Sequence, residues 1–133
     1  MYSRQCNQLV AIIPNHNTTE IRRYKKAMTN DYLESTIKQF EYYKLLGEKT
    51  FAQLSDEQLF WQYNEESNSI ATIVKHLWGN MLSRWTDFLT TDGEKEWRKR
   101  DEEFDNDIVD RVELLAKWNE GWACLFNALQ SLT

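Results

Sequence analysis

Histidine, cysteine and the acidic side chains are the residues that could bind a metal, move a proton or attack an electrophile. This 133-residue chain has two histidines and two cysteines. His76 stands within "IATIVKHLWGNMLSRW", residues 70–85, and His16 within "PNHNTTE". A catalytic site for a divalent ion takes about three protein donors and keeps a position open for water or substrate. No HxxxH or HExxH spacing brings a second histidine to the face of His76. Asp87 lies about three helical turns further on, too far to share an ion with it. His16 reads as a loop residue. Cys6 and Cys124 form no CxxC motif and no disulfide framework, so a reduced, cytoplasmic setting is expected. Cys124 falls beside an apolar helix face and reads as core. No GxSxG elbow, P-loop or GxGxxG stretch is present.

Three long helices must position whatever chemistry these residues have. The first is predicted over about 30–54, after the cap-like "TND", with Leu33, Ile37, Phe40, Gly47, Phe51 and Leu54 on one face and Tyr32, Thr36 and Tyr43 beside it. Gly47 costs about 1 kcal/mol inside a helix, so a close neighbour is expected there. Ser55 and Gln58 form a capping box ahead of a short helical turn. Ser69 or Asn68 caps a second long helix over about 69–90. The third spans about 107–131, with Ile108, Val112, Leu115, Trp118, Trp122, Leu125, Phe126 and Leu129 on a broad face. The fold class is therefore all-α, an antiparallel up-and-down bundle of three long helices and a short one. Residues 28–133 form the bundle domain, and residues 1–27 are read as an appendage.

His76 points away from the apolar half of its helix. Its line along the wheel holds Ser69, Thr72, Gly79, Asn80, Ser83 and Asp87. A water-facing helix more often carries long charged side chains, as the first helix does with Glu34, Glu41 and Glu48. A strip of small polar residues suits a cleft wall or a second helix at close range. Spacing alone favours a histidine hydrogen-bonded at an interface over a ligand or catalytic one. The charged stretch "TTDGEKEWRKRDEEFDND" contains Trp97, Arg98, Arg100, Asp101, Glu102 and Glu103. It reads as a loop pinned by Trp97 and partly exposed ion pairs, ahead of a pocket-shaping role.

Composition sets the outer bounds. Hydrophobic residues make up 41% and aromatics 14%, enough for a modest core. The net charge is −5, yet residues 1–27 hold five basic side chains against Glu20, so the remainder is strongly acidic. Such a body repels phosphate backbones, and no nucleic-acid partner is expected. No stretch approaches the ~20 apolar residues of a membrane span, and no membrane association is expected.

"NSIATIVKHLWGNMLSRWTDFLTTDGEKEWRKRDEEF" (68–104) and "LLAKWNEGW" (114–122) resemble a bacterial branch of the DinB/YfiT-like superfamily, a branch of unknown function. The resemblance covers about residues 28–133. It implies a four-helix bundle in which a histidine on the second helix joins an HxxxH pair on the last one to hold a divalent metal, zinc or nickel. It also implies kinship with metal-dependent transferases or hydrolases that use a small thiol, some linked to stress response, acting on an unknown small-molecule substrate. His76 matches the first ligand. The HxxxH pair has no counterpart before Thr133, so the metal site is expected to be incomplete, in a fragment or a natural short form. Three helices would leave Trp78, Trp85, Trp118 and Trp122 with less cover. The alternative expectation is therefore a non-catalytic bundle that forms a homodimer through its open apolar groove.

Overall fold

The structure, a computed structural model, describes residues 18–105 and 107–132. His16 and Cys6 lie outside the described residues. Four α-helices and one 3₁₀ turn follow in order: α1 (Thr18–Ala52), α2 (Asp56–Phe60), α3 (Ile70–Trp85), the turn Asp101–Phe104 and α4 (Arg111–Gln130). Among the described residues there is no strand, and the chain folds as an all-α bundle. It divides into two compact units, Met1–Thr36 and Ile37–Thr133.

Of the first unit, residues 18–36 are helical and mostly exposed, with Leu33 buried. The helix starts at Thr18, not near residue 30. Thr29, read as a cap, is interior instead: its hydroxyl donates to the carbonyl of Lys25 at 2.8 Å. A threonine can bond back one turn inside a helix, so a cap-like sequence does not by itself start one.

The second unit contains the core. Capping sets its helix starts as expected. Ser55 and Gln58 form the reciprocal box ahead of α2, and the Ser69 hydroxyl accepts the Thr72 N–H at the start of α3. Asp110 caps α4 by accepting from the Glu113 N–H. Val112 is consequently in the first turn and 76% exposed, outside the apolar face assigned to it, while Leu114 is fully buried. α3 ends at Trp85, five residues early, because Asp87 turns into the left-handed region at φ 50.

Aromatic rings separate α1 from α4. Phe51 and Trp118 have ring centroids 5.0 Å apart, Trp118 and Trp122 5.4 Å, and Phe40 and Trp122 6.2 Å. Trp118 and Trp122 are buried, whereas Trp78 and Trp85 are half-buried. Gly47 is where the ring of Trp118 comes closest: a Cβ there would lie 2.5 Å from its Cζ2. Arg111 ties the ends together, donating to the carbonyls of Phe51 and Leu54 and to Asp56 Oδ1. A guanidinium at the last carbonyls of α1 satisfies groups a helix end leaves open.

The topology departs from a simple up-and-down bundle. Trp78 donates to Glu120, Met81 lies against Gly121, the Cys124 thiol donates to the Met81 carbonyl, and Thr86 meets Cys124. Positions on both helices rise together, so α3 and α4 run parallel. Pairings of 40 with 122 and 51 with 118 make α1 antiparallel to α4. Parallel neighbours need a connection that returns the full helix length, about 24 Å for sixteen residues. Residues 86–110 make that return.

Candidate functional site

The returning crossover is laid along the polar strip of α3. The Ser83 hydroxyl donates to the Gly93 carbonyl. One helical turn back, Gly79 leaves room for Glu103, whose Cδ would lie 2.9 Å from an added Cβ. A further turn back, Lys75 donates to the carbonyls of Glu102 and Asp105 and pairs with Asp107 Oδ1 at 2.7 Å. The small residues of the strip therefore seat a second chain segment. That is the close neighbour their size requires, although the neighbour is a crossover and not a helix.

His76 sits at the centre of this seam. Its Nδ1 donates to Glu103 Oε2 at 2.9 Å, and its ring stacks on Phe104 with centroids 5.1 Å apart. Glu103 is held from the other side by Arg98, whose Nε and Nη2 donate to its two oxygens at 2.6 and 3.0 Å. The Glu103 side chain is 7% exposed, that of Arg98 2% and that of His76 38%. Burial is the largest influence on Glu103 and pushes its pKa up. The hydrogen bonds and charges of Arg98 and His76 together outweigh it, so the carboxyl titrates below its ordinary 4.5. Its hydrogen bond raises the pKa of Arg98. Glu103 is therefore an anion, which makes Nδ1 of His76 the protonated nitrogen and leaves Nε2 without a hydrogen-bond partner among the described residues.

Residues 27–133 match the sequence profile of a family described as Protein of unknown function (DUF1572). The chain belongs to that family. No curated protein and no solved structure matches it. In this DUF1572 chain the matched segment includes every residue of the seam, from Lys75 on α3 to Asp107 at the end of the crossover.

The structure relocates several residues read from the sequence. Trp97 does not pin the crossover: it is 55% exposed, and Arg98 beside it takes the buried place. Cys124 is half-buried, with its thiol turned to the Met81 carbonyl and Thr86, at the edge of the core. Asp87 lies at the far end of α3, away from His76, and lines a separate cleft with Cys124. Among the described residues, no group of three or more His, Cys, Asp or Glu is placed to hold a metal ion. His76 offers one donor, and Glu103, the nearest carboxylate, already accepts three hydrogen bonds. These residues alone do not fit a divalent ion. Periodicity missed Lys75, Arg98 and Glu103. The one local signal was Gly79, a helix-interior glycine whose cost a close carboxylate explains.

Proposed function

We propose that this chain is a DinB-like helical bundle acting as a non-catalytic assembly module, which pairs with a second copy of itself through one face of α1. The DinB-like reading is supported by the long crossover and by a histidine midway along the second long helix. The assembly reading is carried by the charge distribution around α1 within residues 37–53. Gln39, Tyr42, Tyr43, Leu46, Thr50 and Gln53 share an arc of roughly 100° at 3.6 residues per turn and are all exposed. Lys38, Glu41, Lys44, Glu48 and Lys49 all fall outside that arc, with Lys38 and Lys49 flanking its Tyr42 edge. Tyr42 and Tyr43 are each 53% exposed and Leu46 41%.

A second copy is the occupant that this arc suits. The chain carries a net −5, so two copies repel over most of their surfaces. They can approach without like-charge contact where neither bears charge. Tyrosine, leucine and uncharged amides are also what an interface centre favours. Self-complementary pairing about a two-fold axis needs no other partner. Fifteen residues of helix extend only about 22 Å, and such a contact falls well below the ~800 Å² per partner of a standard interface. The pairing is therefore weak, with a dissociation constant of tens of micromolar or above, on the order of −6 kcal/mol.

His76, in this reading, serves the fold. It fastens the crossover through Glu103 and Phe104, and no step of chemistry is assigned to it. A second reading has one observation in its favour. A carboxylate holding Nδ1 while Nε2 faces outward is how a metal-ligating histidine is commonly oriented. It would need donors beyond the one that the described residues supply.

Sedimentation equilibrium across a wide concentration range tests the assembly reading. Wild-type protein is expected to show a monomer–dimer equilibrium, and Leu46→Glu, which places two charges face to face, is expected to stay monomeric. A wild type that is monomeric into the millimolar range, or a Leu46→Glu variant that pairs equally well, would contradict it.

A further inference from the structure

We propose that the cleft between the turn after α3 and the last turns of α4 is a binding site for a small organic ammonium ion. The cleft has a volume of about 470 Å³, within the range of small-molecule sites. Its walls include Trp85, Asp87, Phe88, Cys124, Asn127 and Ser131, and no lysine or arginine lines it.

Three features favour positive charge there. First, the parallel run of α3 and α4 brings both C-termini to this cleft. Each helix end carries roughly −0.5 of an elementary charge, and here the two add. In an antiparallel pair one end would oppose the other. Second, Trp85 and Phe88 form an aromatic corner, with centroids 5.5 Å apart and planes inclined at 56°. Ring faces attract ammonium groups within about 6 Å. Third, Asp87 stands between those rings in the chain, and its carboxylate has no hydrogen bond or ion pair among the described residues. The nearest cation in sequence, Arg84, is engaged by Glu94 at 3.1 Å.

Asp87 occupies a place where glycine is the usual residue. Its φ of 50 is left-handed, as at many helix C-termini. The turn is fixed by its carbonyl, which accepts from the Thr90 and Thr91 N–H groups at 2.9 and 3.0 Å and from both threonine hydroxyls. The side chain takes no part in that bonding, so backbone geometry does not require a carboxylate. Asparagine adopts the same conformation readily, which separates the charge from the turn.

The organic group, and not the charge alone, defines the ligand. The half-buried rings reward an apolar cation over a hydrated metal ion, whereas the hydroxyl and amide groups of Ser131 and Asn127 can receive N–H or O–H donors.

The test is an amide NMR titration of the full chain with choline and, separately, with its uncharged carbon isostere 3,3-dimethylbutan-1-ol. Choline is expected to shift residues 85–90 and 124–131 with a millimolar dissociation constant. The isostere is expected to bind about tenfold more weakly. Asp87→Asn is expected to keep the melting temperature and to weaken choline binding by about fivefold or more. Equal binding of the isostere would overturn the proposal. So would unchanged binding in Asp87→Asn, shifts confined elsewhere, or no shifts with choline at about 100 mM, far above the constant that a pair of such contacts implies.

Discussion

Lys75 illustrates how one side chain can belong to two segments at once. It lies between buried Val74 and half-buried His76, and it is itself only 8% exposed. Its stem is covered by the crossover, while its ammonium reaches the Glu102 and Asp105 carbonyls and Asp107. Helical spacing alone assigns a lysine outside the apolar stripe to water, so its importance was illegible until the crossover had a position. Lys75→Ala should cost about 1–3 kcal/mol, the loss of charged hydrogen bonds and packing. Ile73→Ala, at a 47% exposed site, should cost well under that. Chemical denaturation of the two variants checks the order. Glu103 makes the seam sensitive to acid. Its folded pKa is depressed, so its contribution is fully present above the unfolded value of about 4.5 and is lost as pH falls through the lower folded value. Thermal melts below pH 5 should show wild-type stability falling, whereas Glu103→Gln, already weakened by the unpaired Arg98, should fall less steeply.

The helices were the most legible level, and their ends the least. Apolar spacing located all three long helices, and Ser55 and Ser69 marked two starts that the structure keeps. Asn17 and Glu20, spaced as an N-cap residue and its partner three on, mark the start at Thr18, a signal that the apolar periodicity passed over. The cap-like Thr29 is spent on an intrahelical bond. The end of α3 depends on Asp87 adopting a left-handed turn, which aspartate does without advertising it as glycine would. Gly47 was legible for a physical reason: a glycine in the middle of an apolar stripe needs a compensating neighbour, and Trp118 is that neighbour. Gly47→Ala supplies a better helix former, worth about 1 kcal/mol. The methyl would nevertheless overlap the indole, and overpacking of this kind costs about 1–3 kcal/mol. A net loss of stability is therefore expected in denaturant titration. A more stable variant would mean that α1 and α4 are not held together by this contact.

At the scale of the whole molecule, the decisive feature is the return of the chain between two parallel helices. The sequence marked the strip of small residues on α3 as a contact surface and His76 as part of it. It could not say what lay against them, because the crossover has no period of its own and its buried members, Arg98 and Glu103, look like solvated charges. Once the crossover is in place, His76, Glu103 and Arg98 form one fastening, and His76 serves the fold through it. The most direct measurement is a double-mutant cycle of His76→Ala and Glu103→Gln by chemical denaturation, with and without zinc at about 1 mM, many times the dissociation constant of a built site. A coupling of about 1 kcal/mol between the two residues is expected, with no more than about 0.5 kcal/mol of change on adding zinc. Independent effects of the two substitutions, or zinc raising wild-type stability by several kcal/mol and leaving His76→Ala unmoved, would contradict that role.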